Sequence, residues 1–336
     1  MIEEFDFDRV ANRLEEVCKK RHAHDFYIKL NEMGVLGALE RKVASLPHFE
    51  PKELLTLDLD LAGMQQIVLQ FYGELDLELK NRIEKTLSDP FFEHKFSEPN
   101  GNGINEGSRV GFEWKNNVAQ NGEIVLNPSN NLIGIITVAH EFAHLLEERI
   151  QKRIKNKEDC LGEIASMFIE KVFAEYMLKK SMIEKKDYRI LKEHDLNCFS
   201  NNVRVLVEEN EILSGLEVPI SGVQLRELHK KYAFSDRKGV LMRRVQQMTG
   251  IGMPKNVQPE SGQKRFRYVA GEVVSGALFE DFKKNPKETL GRFENFLSSN
   301  AEMEEAEAYQ TLLGENYFQK LSTSFQNLNV EQEKSK

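Results

Sequence analysis

The stretch His140-Glu141-Phe142-Ala143-His144 constrains this chain more than any other part of the sequence. Two histidines four residues apart lie on one face of a helix, because four residues turn a helix by about 400°. Neutral imidazoles in that arrangement supply two of the protein ligands of a catalytic zinc ion. Glu141 is placed to act as a general base on a water molecule at the open position of the metal. The pattern therefore indicates a metal site on a helix, and the alternative is a chance match with two buried histidines that have other partners.

The residues around this motif predict a helix with a buried side. The apolar positions that support it are Leu132, Ile135, Ile136, Ala139, Phe142, Ala143 and Leu146. We expect the helix to run from about residue 131 to residue 154, with Ser129 or Asn130 as its N-cap. A basic linker follows, and Asp159 is expected to cap a second helix.

The second helix carries the candidates for a third metal ligand. Glu163 and Glu170 are seven residues apart, close to two helical turns, so both lie on one face with Ser166 between them. Such a pair is usually a solvated edge, but a carboxylate ligand would come from this position after a short connection. We assign Glu163 as the ligand, and Ser166 and Glu170 as groups that orient the histidines and the carboxylate.

A short strand is expected just before the metal-binding helix. The run Glu123, Ile124, Val125 and Leu126 is rich in apolar and β-branched residues and is closed by Asn127-Pro128. One interpretation is an edge strand along which an extended peptide substrate lays its backbone, so these four residues are assigned to substrate binding. The other is an internal strand without a ligand. The glycine-containing stretch from residue 96 to 120 is expected to form loops and turns.

Composition limits the partners and the compartment of the protein. A net charge of −8 weakly disfavours a nucleic-acid partner. The acidic start does not resemble a signal peptide, and no apolar run approaches the roughly 20 residues that cross a bilayer. Cys18, Cys160 and Cys198 have no paired spacing and are expected to be free thiols in a reducing compartment. We expect a cytoplasmic protein without a membrane or nucleic-acid partner, and export without a cleaved signal stays open.

The pattern along the chain predicts three segments. Residues 1–98 are expected to form an N-terminal helical segment, residues 99–329 the catalytic region, and residues 330–336 a charged, disordered tail.

Taken together, these motifs resemble the thimet oligopeptidase and oligoendopeptidase F family of zinc metallopeptidases. The zinc helix is similar over residues 137–144, and the family's Glu-x-x-Ser-x-x-x-Glu pattern is matched by residues 163–170. Residues 107–111 and 124–127 resemble the family's glycine-rich segment and substrate-edge strand, and residues 268–278 resemble a helix that carries a functional tyrosine. The likeness extends from about Met64 through most of the remaining chain.

This resemblance implies a mainly α-helical fold with a zincin-type metallopeptidase core. A small β-sheet would lie next to the HExxH helix, and helices would wall a substrate cleft. It further implies a metalloendopeptidase with one Zn²⁺ per chain, held by His140, His144 and Glu163, that acts on a peptide or extended polypeptide. Tyr268 would donate a hydrogen bond to the oxyanion of the tetrahedral intermediate.

Three departures from the family pattern affect what the resemblance implies. We expect the chain to lack most of the family's N-terminal helical domain, and the connection from His144 to Glu163 is shorter than is usual in the family. Residues 256–267 contain neither the histidine nor the further tyrosine that the family has before the position of Tyr268. These departures leave two alternatives open, a peptide-binding or protein-binding module with little turnover and a protease directed at one protein.

Overall fold

The computed structural model describes residues 6–22, 55–99, 108–115, 118–154, 159–214, 216–217, 219–232, 244–246, 248–249 and 262–324. These ranges are mostly helical with a small mixed sheet, which confirms the predicted fold class. The helices, in chain order, are α1 (Phe7–His22), α2 (Leu61–Leu75), α3 (Leu77–Leu87), α4 (Leu132–His144), α5 (Glu148–Gln151), α6 (Ile164–Lys179), α7 (Lys185–Ser214), α8 (Gly222–Tyr232), α9 (Gly262–Lys284), α10 (Pro286–Leu297) and α11 (Glu305–Leu313). The strands are β1 (Phe92–Phe96), β2 (Arg109–Lys115) and β3 (Val118–Leu126), and a 3₁₀ helix spans Asp159–Glu163.

The chain divides into two compact units. The first comprises Met1–Phe49 and Cys198–Val269, and the second comprises Glu50–Asn197 and Ala270–Lys336. The division into residues 1–98 and 99–329 stays a prediction about the extent of the catalytic region. The expected tail at residues 330–336 lies outside the described ranges.

The first unit has a compact apolar core of its own. Its buried residues come from α1, α7 and α8 and from the segments beside them, and they are Val10, Ala11, Leu14, Ile212, Leu216, Ile220, Leu225, Val245 and Met248. Glu15 of α1 accepts a hydrogen bond of 3.2 Å from the backbone N–H of Ile220, which ties α1 to the segment before α8.

The second unit is built around α4, the helix that carries the HExxH motif. Most residues of α4 are buried, which is why its sequence is apolar on nearly every side. Helix α6 packs along it, and α2 contacts it through the buried Tyr72, whose hydroxyl donates to the carbonyl oxygen of Ala139 at 2.9 Å. Among the described residues, no helix combines the length and the apolar character that a bilayer span requires.

Both ends of α4 differ from the predicted ends. The N-cap is Asn131, not Ser129 or Asn130, because its Oδ1 accepts hydrogen bonds from the backbone N–H groups of Ile133 and Gly134 at 3.0 and 3.2 Å. The helix ends at His144 and not near residue 154, since a turn separates it from the short helix α5.

The sheet has the order β1-β3-β2, with β1 parallel and β2 antiparallel to β3. The prediction that Glu123–Leu126 is an edge strand is therefore wrong, because these residues pair with β1 on one side, and all but Leu126 also pair with β2 on the other. The internal-strand interpretation describes their position. The expectations of helix at residues 92–96 and of loop at residues 109–115 are also wrong, since both segments are strands.

Candidate metal centre

The two histidines of the motif face the same point from consecutive turns of α4. Their Nε2 atoms lie 3.2 Å apart, and their ring planes are nearly perpendicular. Glu163 reaches the same point from the end of the 3₁₀ helix that leads into α6. Its Oε2 lies 3.4 Å from His140 Nε2 and 3.6 Å from His144 Nε2. The structure thus brings together the three residues that the sequence nominated as ligands.

The geometry of this cluster fits a tetrahedral metal ion. Three ligand atoms bound at about 2.0–2.2 Å with tetrahedral angles lie roughly 3.3–3.6 Å from one another. The three observed separations of 3.2, 3.4 and 3.6 Å agree with that triangle. Two imidazole nitrogens and one carboxylate oxygen are also the donor set that zinc takes in hydrolytic sites. The residues present therefore fit zinc.

A close helix contact fixes the backbone that carries Glu163. Gly271 of α9 lies against it, and a Cβ atom at that position would come within 3.1 Å of Glu163 Cβ and 2.7 Å of Met167 Sδ. A larger residue would therefore push α9 away from the carboxylate. The small residues of this part of α9 permit the close packing.

Ser166 and Glu170 both contact the cluster directly. The Ser166 hydroxyl lies 3.3 Å from Glu163 Oε2 and 3.1 Å from the carbonyl oxygen of Glu163, and donates to these acceptors. Glu170 Oε1 lies 2.5 Å from His140 Nδ1, so an N–H on that nitrogen donates to the carboxylate and leaves Nε2 directed at the ligand cluster. These positions are compatible with the orienting roles assigned from the sequence, which stay predictions.

Glu147 is a member of the site that the sequence reasoning missed. It is fully buried, and its carboxylate accepts a hydrogen bond from His144 Nδ1. Arg149 Nε donates to its other oxygen at 2.9 Å, and the Asn300 side-chain amide lies 3.4 Å from that same oxygen. Glu147 thus does for His144 what Glu170 does for His140. Each imidazole has a carboxylate on the nitrogen that faces away from the cluster.

The carboxylates stabilise positive charge at the cluster. Burial alone would lower the pKa of His144, but the charge and hydrogen bond of Glu147 and the contact with Glu163 raise it to about 9. The pKa of His140 is likewise raised well above 6.5, against the effect of burial, by Glu163 and Glu170. Burial opposes the ionised form of Glu163, yet hydrogen bonds from both histidines hold its pKa well below 4.5. The same field would favour a divalent cation in place of the protons.

Glu141 lies within the field of this cluster and has a different environment. Its side chain is buried, and its Oε2 has no hydrogen-bond partner among the described residues. Burial raises the pKa of its carboxyl, while the charges of His140 and His144 oppose that effect. A buried carboxylate oxygen without a partner among the described residues, next to a candidate metal site, is suited to take a proton from a water molecule.

Tyr268 and the substrate-binding strand are the remaining residues assigned from the sequence. Tyr268 lies on α9, is partly buried and falls in the first unit, whereas the histidines and Glu163 fall in the second. Its assigned role stays a prediction. Because β3 is the central strand, Gly122–Val125 have no unpaired backbone edge for an extended peptide, and the outer strands of the described sheet are β1 and β2.

Comparison with known proteins supports the fold assignment. No protein-family model matches the sequence, and no curated protein matches it at a significant level. A solved structure from Bacillus anthracis str. Ames, assigned as an oligoendopeptidase F, is similar with a TM-score of 0.56 at 13% identity, covering 97% of this chain and 56% of that chain. A structure from Chlamydophila abortus, assigned as a peptidase, gives a TM-score of 0.47 at 14% identity, covering 96% of this chain and 55% of that chain. The likeness to the first of these structures shows an oligoendopeptidase F-like fold. The chain spans little more than half the length of either neighbour.

Proposed function

We propose that this protein is a zinc-dependent endopeptidase or oligopeptidase. The observation that carries the proposal is the triangle of His140, His144 and Glu163 ligand atoms, with the buried Glu141 carboxylate within its field. The oligoendopeptidase F-like fold supports the same class of reaction, although that likeness concerns the fold alone.

Each residue of the site has a part in this proposal. Zinc held by His140, His144 and Glu163 would polarise the scissile carbonyl and lower the pKa of a water molecule toward about 7. Glu141 accepts the proton of the attacking water and delivers it to the leaving amine. Glu147 and Glu170 hold the imidazoles with Nε2 toward the ligand cluster. Tyr268 donates to the developing oxyanion, and an extended substrate pairs with an outer strand of the sheet instead of with β3.

The test is the Glu141→Gln variant. We expect it to bind as much zinc as the wild type and to lose cleavage of a quenched-fluorescence peptide library, by about 100-fold or more, because the amide cannot accept a proton. Mass spectrometry measures the zinc content of each protein, and initial rates measure its cleavage of the peptides. Wild-type cleavage should disappear with a chelator and return with added zinc.

The exposed Glu84 on α3 provides the matched control, since Glu84→Gln makes the same chemical change away from the site. It should leave zinc content and cleavage unchanged. Cleavage by Glu141→Gln at the wild-type rate would remove Glu141 from the mechanism, and wild-type cleavage that resists the chelator would contradict the proposed zinc dependence.

The absence of histidine and tyrosine from residues 256–267 favours a second candidate, a peptide-binding or protein-binding module with little turnover. In that case the wild type would bind peptides from the same library and leave them intact, with or without zinc. Cleavage of a single folded protein, with no cleavage of the library, would instead indicate a protease directed at one target.

A further inference from the structure

A cavity separate from the metal cluster lies in the second unit, between α6, α7 and α9. Its volume is about 90 Å³, and residues of these three helices line it together with Ser324. None of its lining residues belongs to the group formed by His140, Glu141, His144 and Glu163. It is therefore a separate space with its own lining.

The lining has an apolar part and a charged part. Ala174, Leu191, Leu196 and Phe279 form the apolar part. On the charged part, Lys171 Nζ lies 2.7 Å from Glu272 Oε1, and their side chains are only 15% and 7% exposed. These two buried charges neutralise each other, since each has the other as its direct partner.

Asp195 is the charged residue of the cavity that lacks such a partner. It is partly buried, and its carboxylate makes no hydrogen bond or ion pair with any residue that the structure describes. Burial raises the pKa of this carboxyl to about 8, with Glu170 and Glu272 acting in the same direction and Lys171 and Lys192 against it. Lys171 and Lys192 offset the effect of burial only in part, and a further cation beside Asp195 would stabilise its ionised form.

We propose that this cavity binds a primary ammonium group on a short alkyl chain, with Asp195 as the counter-ion. The apolar residues suit the alkyl chain, and the ammonium group needs further hydrogen-bond acceptors. Ser324 Oγ is one, since it donates to the carbonyl oxygen of Val273 at 2.9 Å and keeps its lone pairs. The cavity is partly open to solvent, so the ammonium end and the adjoining methylene groups of such a chain lie inside while the rest of the ligand extends outward. The natural source is a lysine side chain of a polypeptide or a small free amine.

The first experiment compares three probes of equal chain length in an amine-free buffer. We expect n-butylammonium to bind the purified full-length protein saturably, as followed by ligand-observed NMR and calorimetry. Butyrate should not bind, and n-butanol should bind at least about tenfold more weakly because it lacks the charge. Failure of n-butylammonium to bind, or equal binding of n-butanol, would overturn the proposal and leave a cavity that holds ordered water.

Two variants test separately whether binding depends on the charge of Asp195 and on the empty volume of the cavity. Asp195→Asn should weaken n-butylammonium binding by about tenfold or more, since the amide keeps the shape and loses the counter-ion. Glu193→Gln is the matched control on the same helix outside the cavity, and it should bind as the wild type does. Ala174→Leu fills the cavity without changing its charge and should also abolish binding. Wild-type affinity in both Asp195→Asn and Ala174→Leu, with thermal unfolding showing folded proteins, would refute the site.

A further arm identifies the source of the ammonium group and separates this site from the metal centre. Binding of Nα-acetyl-lysine N-methylamide beside n-butylammonium would assign the cavity to polypeptide lysine, and binding of the amine alone would assign it to a free amine. Either result supports the ammonium site. Glu141→Gln protein, and wild type treated with a chelator, should bind the probe unchanged. Loss of binding in both would instead make the probe a ligand of the metal centre and overturn the separate site.

Discussion

In the proposed metal centre, the buried Glu147 would act on the metal ion through His144, which donates a hydrogen bond to its carboxylate. A carboxylate on Nδ1 fixes the ring and raises the electron density on the ligating nitrogen, so its charge contributes to affinity. Glu147→Gln keeps the size of the side chain and loses the charge. We expect zinc affinity to fall by about 10- to 100-fold, measured by competition with a chromophoric chelator.

The neighbouring Glu148 supplies the control for this change. It is also buried, but its carboxylate pairs with Lys152 and not with a histidine. Glu148→Gln should retain the zinc affinity of the wild type. If Glu147→Gln also retained it, the hydrogen bond from His144 would have only a structural role.

Asp195 gives a pH-dependent contribution to stability whose sign follows from its pKa. The carboxyl has a pKa of about 8 in the folded chain, raised from 3.8, mainly by burial. Between about pH 4 and pH 8 the folded state keeps a proton that the unfolded state releases, so the free energy of unfolding decreases as the pH rises through this window. Above pH 8 Asp195 is ionised in both the folded and the unfolded state, and its contribution to the free energy of unfolding no longer changes with pH.

Asparagine does not ionise, so Asp195→Asn removes the decrease in the free energy of unfolding that accompanies ionisation of Asp195. The variant should be more stable than the wild type at pH 9 and similar to it near pH 4. Each pKa unit corresponds to about 1.4 kcal/mol, and partial exposure to water reduces the total, so we expect a gain of about 2 kcal/mol at pH 9. Urea unfolding at both pH values measures it, with Glu193→Gln as the control. An equal gain at pH 4 and pH 9 would show that the ionisation of Asp195 is not its cause.

The sequence predicted some residues of the site and could not have predicted others. His140, Glu141 and His144 follow from helical spacing, and Glu163 follows from its spacing to Glu170 on the next helix. Glu147 could not be placed in the same way, because the chain leaves the helix after His144 and the rule for helix faces no longer applies. An acidic residue shortly after a ligand histidine is the signal that could have nominated it, since the Nδ1 atom needs an acceptor.

At the scale of elements, the start of α4 depends on a close backbone contact. Gly134 lies in the first turn of the helix, and a Cβ atom there would come within 1.8 Å of the carbonyl oxygen of Ser129. Main-chain atoms cannot move aside without shifting the cap at Asn131. Gly134→Ala should therefore lower the free energy of unfolding by about 1–3 kcal/mol, measured by chemical denaturation.

At a second helical glycine, substitution by alanine is expected to raise the free energy of unfolding and not to lower it. Gly291 lies inside α10, and a Cβ atom there meets no atom within 4 Å. Gly291→Ala should stabilise the protein by about 0.5–1 kcal/mol, because alanine loses less backbone entropy on entering a helix. If both variants were equally stable, the contact with Ser129 would not explain the effect of Gly134→Ala.

The helices were more predictable than the strands. Long apolar spacings identify α2, α4 and α6, since a helix buries a stripe that repeats along one segment. Strand β1 has only five residues and is apolar only at its two ends, so its sequence carries little signal. The sequence of β2 does alternate, with apolar residues at Val110, Phe112 and Trp114, and this signal was missed because the glycines around it favoured a loop. The central position of β3 depends on which segments pair with it, and a single strand sequence carries no information about its neighbours.

At the scale of the whole molecule, the chain has the fold of a known structure although the two sequences differ at most positions. At 13% identity the chain keeps an oligoendopeptidase F-like fold while spanning 56% of the neighbour's length. A helical core tolerates extensive substitution when the volume and the apolar pattern are kept. A metal site tolerates far less, because its ligand atoms must lie within a few tenths of an ångström of one arrangement. The histidines and Glu163 are therefore the part of the molecule on which function can be tested most directly.

Zinc bound at the proposed centre should stabilise the second unit, because the proposed ligands come from α4 and from the 3₁₀ helix before α6 and converge only when both are folded. At a free zinc concentration about 100 times the dissociation constant, the expected gain in unfolding free energy is about 2.7 kcal/mol. Calorimetry with and without zinc should show this as a higher unfolding temperature in the wild type. Glu163→Gln should lose most of the shift, and Glu84→Gln should keep it. An equal shift in Glu163→Gln would mean that zinc binds elsewhere in the chain, and the metal centre would then have to be assigned to other residues.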